Sequence, residues 1–229
     1  MVSGMPAVGT PDFKTADRSA KIVGKMTVLN STDTLETERL YLRRLNQTDL
    51  EYFIGIHSDP EVARYIGAGN PRPQSETEQW FRDIQDSYEN ASLGQLTVVR
   101  KSDGARIGRC GLSDAALEKT ETPGRLRRGW FFSAHVPEYV DVDHLPELGY
   151  TFGKDHWGKG YATEAARSVY QYARDYLSYP KIMSVIHPDN HGSKAVAAKF
   201  AVDYVDVVEL AGREFERYHW SLSKVQKLF

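Results

Sequence analysis

The stretch 147–177 most constrains how this chain can fold. It opens with a short apolar run over 148–152 that is rich in aromatic residues, as expected of a buried strand. Polar residues and three glycines follow over 153–160 and indicate a turn. Beyond the turn, small and apolar residues recur at helical spacing: Ala162, Ala165, Ala166, Val169, Ala173, Tyr176 and Leu177. A helix that begins after such a turn points free N–H groups and its positive dipole end at one spot. The pattern therefore predicts a site for an anion, above all a phosphate.

The glycine turn also has a plain interpretation, a tight loop that only reverses the chain. It does not match the dinucleotide fingerprint or the P-loop, because the required glycine spacing and the Gly-Lys-Ser/Thr ending are missing. Gly160, Tyr161 and Ala162 instead resemble the Gly-x-Ala part of the pyrophosphate loop of the GNAT acyltransferases, with Trp157 where Gln or Arg is usual. Together, Glu-Leu-Gly-Tyr at 147–150 and Trp-Gly-Lys-Gly-Tyr-Ala-Thr-Glu-Ala at 157–165 resemble the branch of ribosomal-protein N-terminal acetyltransferases, which is RimJ/RimL-like.

A second motif of this branch lies near the start of the chain. The segment Leu-Glu-Thr-Glu-Arg-Leu at 35–40 resembles the first motif of the branch, and the resemblance extends over about 35–223. Residues 1–33 are poor in aromatics and rich in Gly, Pro, Thr, Lys and Asp, which predicts a mobile N-terminal extension. We therefore expect two parts, the extension 1–33 and an acyltransferase domain over 34–229.

The order of elements indicates a mixed α/β fold. The resemblance implies the GNAT fold, with a central twisted mixed sheet, antiparallel hairpins first and a βαβ unit at the cofactor-binding centre. Ser75 and Glu78 have the spacing of a capping box at the start of a helix that runs to 89, and Asn46 or Thr48 could cap a helix over 49–57. Further expected elements are strands over 40–45, 96–100, 105–112, 181–186, 204–209 and 216–222, and a helix over 193–202.

A long excursion separates the predicted hairpin from Glu147. Residues 113–146 hold a densely charged segment and the aromatic run Trp130-Phe131-Phe132. The excursion is either an extended hairpin or a flap over the acceptor site. Its aromatic residues suit a surface that faces substrate or another subunit, although the run 130–132 could simply be core.

Composition restricts the function classes. With 229 residues and a net charge of −2, the chain has no general attraction to nucleic acid or to anionic membranes. No apolar run approaches the roughly 20 residues that cross a bilayer, and no signal-peptide pattern is seen. The one cysteine, Cys110, excludes an internal disulfide and a cysteine-based zinc cage, and it suits a small core residue. We expect a cytoplasmic enzyme without a metal site.

The resemblance implies direct transfer of an acetyl group from acetyl-CoA to a primary amine in a ternary complex. It places the backbone N–H groups of the glycine loop on the pyrophosphate and a strand N–H near Phe152 on the developing oxyanion. The cofactor-binding candidates are Phe152, Trp157, Gly158, Lys159, Gly160, Tyr161, Ala162, Thr163, Asn190 and Ser193. Within this set, the Trp157 indole is expected to pack under the loop, and Lys159 could add charge near the phosphates.

Glu147 is the candidate base that deprotonates the amine, directly or through water. The alternative is a strand-end charge that faces solvent or an arginine. His156 has nearly the right pKa but sits in the cofactor loop. His135 and His144 in the excursion are weaker candidates.

Asn190 and Ser193 match family positions that approach the pantetheine arm and the leaving group. Both residue types also favour a helix N-cap, and the two roles are compatible. The tyrosine that many relatives place four residues after this serine is absent, since Ala197 stands there. The general acid is therefore open between Ser193, water and an unassisted departure of the thiolate.

Two other functions compete with an N-acetyltransferase. One is a catalytically silent CoA-binding or interaction domain with the GNAT fold. The other is an ATP-using enzyme, disfavoured because no Mg²⁺-binding Ser or Thr follows the Gly-Lys pair. The acceptor could be a protein N-terminus or a small amine, and relatives suggest a homodimer.

Overall fold

The computed structural model describes residues 34–90, 93–119, 129–132, 135–177, 179–210 and 212–222. The predicted extension 1–33 lies outside the described residues, as do 120–128 and 133–134 of the excursion.

Eleven strands in the described chain form one large and one small sheet. The large sheet has the order β1-β2-β3-β4-β8-β9-β11-β10, and the small one the order β6-β5-β7. All pairs are antiparallel except β8 and β9. The strands are β1 Thr34–Glu36, β2 Leu40–Arg44, β3 Gly94–Arg100, β4 Arg106–Ser113, β5 Ala115–Glu118, β6 Trp130–Phe132, β7 Val142–His144, β8 Glu147–Phe152, β9 Lys181–Ile186, β10 Tyr204–Leu210 and β11 Arg213–Ser221. The predicted mixed sheet, with hairpins first and one parallel pair at its centre, is confirmed.

The helices of the described chain are α1 Leu50–Ser58, α2 Pro60–Ala63, α3 Gln74–Asn90, α4 Tyr161–Tyr176 and α5 His191–Ala197. Asn46 caps a 3₁₀ turn over Gln47–Asp49 that leads into α1, as expected from its side chain. None of these helices is long and apolar enough to cross a lipid bilayer.

Two of the predicted helix boundaries are wrong. The helix α3 begins at Gln74, so Ser75 lies within its first turn and is not its cap. The helix α5 ends at Ala197 instead of 202, because the bonds Lys199 N–H to Val196 O and Phe200 N–H to Ala197 O tighten the chain into i→i+3 turns.

The two faces of β4 and β8 differ in polarity, as the pleat of a strand allows. One face carries Cys110, Leu112, Leu148 and Phe152, which belong to the main core together with Ala165, Ala166 and Val169 of α4. The opposite face carries Arg109, Ser113, Glu147, Gly149 and Thr151, and Arg109 there contacts Trp80 of α3. The polar face is thus turned away from the α4 core.

The parallel pair β8–β9 is joined at its beginning only. Its one ladder position among the described residues pairs Glu147 with Met183, and Met183 N–H donates to Pro146 O at 3.0 Å. Beyond this point the strands separate, and a cleft of about 590 Å³ opens between them and α3. Ligands of open α/β sheets bind at such a place, outside the carboxyl ends of the strands.

The excursion 113–146 is partly an extended hairpin and partly a wall of this cleft. Its residues Ala115, Leu117 and Leu145 pack with Met183, Val208 and Phe215 as a second small core. Trp130 and Phe132 line the cleft.

Candidate active site

The loop before α4 has the backbone shape that the glycines predict. Gly158 and Gly160 have φ angles of 72° and 81°, in the left-handed region that favours glycine. Gly160 is the N-cap of α4, and no side chain bonds to the first-turn N–H groups. These groups, from Tyr161, Ala162 and Thr163, therefore lack an intrahelical partner and stay available to an anion.

Residues from the β1–β2 turn hold this loop in place. The Arg39 guanidinium donates to the Glu164 carboxylate at 2.7 Å and to the Lys159 carbonyl at 3.0 Å, and its Cζ lies 4.6 Å from the Tyr161 ring centroid. Thr37 Oγ1 donates to Glu164 at 2.5 Å. Burial raises the pKa of Glu164, but these bonds outweigh it and lower the pKa below its usual range.

Trp157 lies differently from the sequence-based expectation, whereas Lys159 remains in the loop where its charge was expected. The Trp157 side chain is 48% exposed and does not pack under the loop; its Nε1 donates to the Phe152 carbonyl at 2.8 Å. Lys159 Nζ donates to the Asp155 carbonyl at 2.7 Å, within the loop itself. Both side chains thus stabilise the loop by donating a hydrogen bond to a backbone carbonyl of the same segment.

Glu147 lies where β8 and β9 part, with its side chain in the cleft. Its Oε2 accepts a hydrogen bond from Trp130 Nε1 at 2.9 Å. Burial raises the pKa of Glu147, while the Trp130 bond, the charge of Arg109 and the Val185 N–H oppose that rise. The carboxylate therefore does not face open solvent, and its raised pKa suits a group that accepts a proton near neutral pH.

The register of β8 fixes which of its N–H groups face the cleft. Gly153 N–H donates to Ile107 O at 3.1 Å, so the odd-numbered residues of β8 bond to β4. The N–H groups of Tyr150 and Phe152 consequently point to the β9 side, where the strands have separated. Phe152 thus presents a backbone donor on the side where the sequence-based hypothesis needs one.

Asn190 and Ser193 stand at the start of α5 and line the cleft. Asn190 Oδ1 accepts from Ser193 N–H at 3.0 Å, so the N-cap role is confirmed. Tyr150 Oη donates to the Ser193 carbonyl at 3.2 Å, and burial raises the pKa of Tyr150 above its ordinary value. Ala197, in the usual tyrosine position, is buried in the core. Tyr150 therefore places a phenol near the end of the cleft that lacks the usual one.

The alternative histidines do not share the cleft with Glu147. His156 lies in a 3₁₀ turn over Lys154–His156, and burial together with Arg100 and Lys159 lowers its pKa. His156, His135 and His144 are all absent from the cleft lining, whereas His187 belongs to it. Among the described residues there is also no group of three His, Cys, Asp or Glu side chains that could hold a metal ion.

Several cleft residues were not foreseen from the sequence. Arg109 and Arg72 both line the cleft and lie 5.2 and 5.9 Å from the Trp80 ring centroid. The alternation Arg109-x-Gly111-x-Ser113 within an apolar strand signals a polar face and could have led to Arg109. Arg72, between two prolines, carries no comparable signal.

Comparison with known proteins identifies the family. The profile of the acetyltransferase (GNAT) domain matches residues 39–201. The uncharacterized N-acetyltransferase p20 of Bacillus licheniformis is 26% identical over 84% of this chain and 97% of its own. A crystal structure of an acetyltransferase from Agrobacterium tumefaciens is 26% identical, with a TM-score of 0.61 over 86% of this chain and 99% of its own. RimL, a ribosomal L7/L12 alpha-N-protein acetyltransferase solved with coenzyme A, shares the fold at 10% identity and a TM-score of 0.59, over 82% and 98% of the two chains.

The chain belongs to the GNAT acetyltransferase family, because the family profile covers most of its length. The predictions of the fold, of an acyltransferase enzyme and of N-acetyl transfer are confirmed at this level. Nothing in the comparisons favours the catalytically silent alternative.

Proposed function

We propose that this enzyme moves an acetyl group from acetyl-CoA directly to a primary amine, with Glu147 as the base. One observation carries the proposal. The partly desolvated Glu147 carboxylate lies in the cleft that opens where β8 and β9 separate, and the residues after β8 form the uncapped glycine loop of α4. The base thus lies at the beginning of β8, and the anion site lies at the loop that connects β8 to α4.

The residues of the glycine loop fit the pyrophosphate of coenzyme A. The N–H groups of Gly158, Lys159, Gly160, Ala162 and Thr163 would hold it, with Trp157 and Tyr161 bracing the loop and Asn190 and Ser193 along the pantetheine arm. A Cβ on Gly158 would meet no atom within 4 Å, so the loop is open on that side. Acetyl-CoA supplies an activated thioester carbonyl, and the Phe152 N–H is the proposed donor to its oxygen.

Proton movement falls to two side chains. An amine is protonated near neutral pH, so Glu147 takes a proton from it, helped by a pKa raised through burial. Tyr150 keeps its Oη proton at neutral pH and holds it beside the Ser193 carbonyl. We propose Tyr150 as the proton donor that the usual tyrosine would be, which makes Ser193 a neighbour of the donor instead of the donor itself.

Acetyl transfer to a panel of amines, followed by mass spectrometry, tests this proposal. General acid–base catalysis contributes about 10²–10⁴-fold, so Glu147→Gln should lower kcat by at least about 10². Tyr150→Phe should lower kcat by about tenfold or more at unchanged KM for acetyl-CoA. Tyr139→Phe, which removes an exposed phenol outside the cleft lining, is the control and should keep the parent kcat. Full activity of Glu147→Gln would exclude Glu147 as the base.

Three finer expectations belong to the same proposal. Membership of the RimJ/RimL-like branch and a homodimer rest on the resemblance, and a cytoplasmic location rests on the composition of the sequence. The dimer has one further support, since the edge strand β10 exposes Tyr204, Val205 and Val207 by 48%, 47% and 61%. Light scattering on the purified protein decides the oligomeric state.

A further inference from the structure

Two arginines on the polar side of the cleft make no ion pair within the described part of the chain. Arg109 belongs to β4, and Arg72 lies in the loop before α3. Arg109 Nη1 donates to Gln95 Oε1 at 2.8 Å, but its Nε, like Arg72 Nη1, is buried and has no hydrogen-bond partner among the described residues. Each guanidinium thus keeps a donor that the described side chains do not satisfy.

Such an arrangement is unfavourable unless something compensates it. A buried charge is normally paired or hydrogen-bonded, because removal of its hydration is expensive. Burial, and to a smaller extent the charge of Arg72, lower the pKa of Arg109 to about 10 against the opposing charge of Glu147, so the group stays charged at neutral pH. Both arginines lie against the same Trp80 ring and add their positive potential at one part of the cleft.

Free space lies next to this positive region and connects it with Glu147. Gly149 lies two residues from Glu147 on the same face of β8. A Cβ placed on Gly149 would be 3.4 Å from Gln95 Nε2 and 3.9 Å from Arg109 Nη1. Gly149 thus places no side chain between Glu147 and Arg109, which line the same cleft.

We propose that the acceptor is a small amine that carries its own carboxylate, as an amino acid does, and that Arg72 and Arg109 bind this carboxylate. The inference rests on the proposed function, in which Glu147 receives the amine. Guanidinium groups form charge-assisted, frequently bidentate bonds with carboxylates. The amine would then face Glu147, the carboxylate the two arginines, and the acceptor chain would pass over Gly149.

The remaining walls favour an apolar body for this acceptor. Trp80, Trp130, Phe132, Tyr65 and Phe215 all line the cleft. The acidic residues Glu76 and Asp83 share the α3 face of Trp80 and also line the cleft. The charge of Glu76 raises the pKa of Arg72 against burial, but within the described residues neither carboxylate forms an ion pair with Arg72 or Arg109. An aromatic or aliphatic amino acid matches both the aromatic side chains of the cleft and the two arginines, Arg72 and Arg109.

A binding experiment tests this inference without depending on acetyl transfer. Isothermal titration calorimetry in the presence of coenzyme A would compare N-acetyl-L-phenylalanine with N-acetyl-L-phenylalaninamide, which differ only in the carboxylate. We expect the acid to bind about tenfold or more tightly than the amide. Equal affinities, tighter binding of the amide, or no binding of either compound would overturn the inference.

Substitutions of single arginines test which side chains cause the preference for the acid over the amide. Arg72→Gln and Arg109→Gln should each reduce the preference for the acid to about twofold or less, and thermal unfolding shows whether each variant is folded. Arg82→Gln, an arginine on α3 that bonds Gln79 and lies outside the cleft lining, should leave the preference unchanged. If Arg109→Gln does not fold, Arg72→Gln decides: an unchanged preference in a folded Arg72→Gln contradicts the inference.

Acetylation assays distinguish an acceptor without a carboxylate from a protein without acetyltransferase activity. If the protein acetylates 2-phenylethylamine as fast as L-phenylalanine, the proposed function stands and the carboxylate inference fails. If acetyl-CoA is not bound and no amine is acetylated, the proposed function fails, whatever the calorimetry gives.

Discussion

Arg39 and Glu164 are 125 residues apart in the chain, yet both Glu164 carboxylate oxygens accept from Arg39, one from its Nε and one from its backbone N–H. Arg39 belongs to the sequence motif at 35–40, and Glu164 to the motif at 157–165. The two motifs that carry the family resemblance are therefore in direct contact in the folded protein. The turn between β1 and β2 supports the first turn of α4, where the loop is expected to bind an anion.

Arg39→Ala should weaken acetyl-CoA binding. The Arg39 side chain is 44% exposed, so the ion pair is screened by solvent and worth about 0.2–1 kcal/mol. We therefore expect the Kd for acetyl-CoA to rise about two- to fivefold, measured by calorimetry. Arg174→Ala removes a half-exposed arginine from the other end of α4, where it pairs with Asp175, and should leave the Kd unchanged. An equal effect of both variants would contradict the support role.

Glu147→Gln should stabilise the fold increasingly as the pH rises. Burial raises the pKa of Glu147 in the folded protein. The folded state thus holds this proton more tightly than the unfolded chain, whose pKa is about 4.3. That contribution is complete below the unfolded pKa and is lost as pH rises through the folded one. The midpoint of thermal unfolding of the variant, minus that of the parent, should therefore increase with pH. If the difference between the two midpoints stays constant as the pH rises from about 4.3, the pKa of Glu147 is not raised in the folded protein.

Trp130→Phe should shift the acidic limb of the pH–rate profile to higher pH. The Trp130 hydrogen bond favours the charged form of Glu147 and holds its pKa down against burial. Without it, kcat/KM near neutral pH should fall severalfold, and the loss should shrink as the pH rises. Trp220→Phe is the matched control, because Trp220 is also buried but its Nε1 has no hydrogen-bond partner among the described residues. Equal pH profiles for Trp130→Phe and the parent would exclude this coupling.

Asp49→Asn should destabilise the sheet that carries the site. Asp49 is fully buried and accepts from Arg43 at 2.6 and 2.8 Å, Arg106 at 2.5 Å and Thr97 at 2.8 Å. Removing one partner of a buried ion pair costs about 3–5 kcal/mol in free energy of unfolding. Urea unfolding at neutral pH measures this loss.

The same substitution has a defined pH dependence. Burial alone would raise the pKa of Asp49, but its bonds to Arg43, Asn46, Arg106 and Thr97 lower it to about 2. Its contribution is therefore present above the unfolded pKa of about 3.9 and is lost as pH falls through about 2. The gap in stability between parent and variant should shrink over that range. Asp103→Asn, which removes an exposed partner of Arg100, should have a much smaller effect.

The strands and the glycine loop could be predicted because local patterns determine them. The strand Lys181–Ile186 has the predicted bounds, and Gly158 and Gly160 use the backbone freedom that glycines in a turn indicate, since both have positive φ. Helix ends were less predictable. The end of α5 depends on i→i+3 bonds at Lys199 and Phe200 that leave no mark in an apolar helical pattern.

Some residues of the candidate site could be predicted from the sequence and others could not. The family resemblance implied Glu147, at the start of the strand that leads to the loop, and the structure locates its side chain in the cleft. Trp130 and Arg109 reach that cleft from two strands and Arg72 from the loop before α3, so their proximity depends on topology and not on spacing along the chain. The indole of Trp157 was misplaced because a hydrogen bond to Phe152, five residues away, holds it at the surface.

Thermal unfolding with and without acetyl-CoA tests the central claim, a cofactor site at the glycine loop. Acetyl-CoA at about 100 times its Kd should stabilise the protein by about 2.7 kcal/mol, a shift in midpoint of roughly 5–10 °C. Gly160→Trp should abolish the shift. Gly212→Trp carries the same bulk at a glycine with φ 74° in the β10–β11 turn, and it should keep the shift. No shift in the parent, or an equal shift in both variants, would contradict the account.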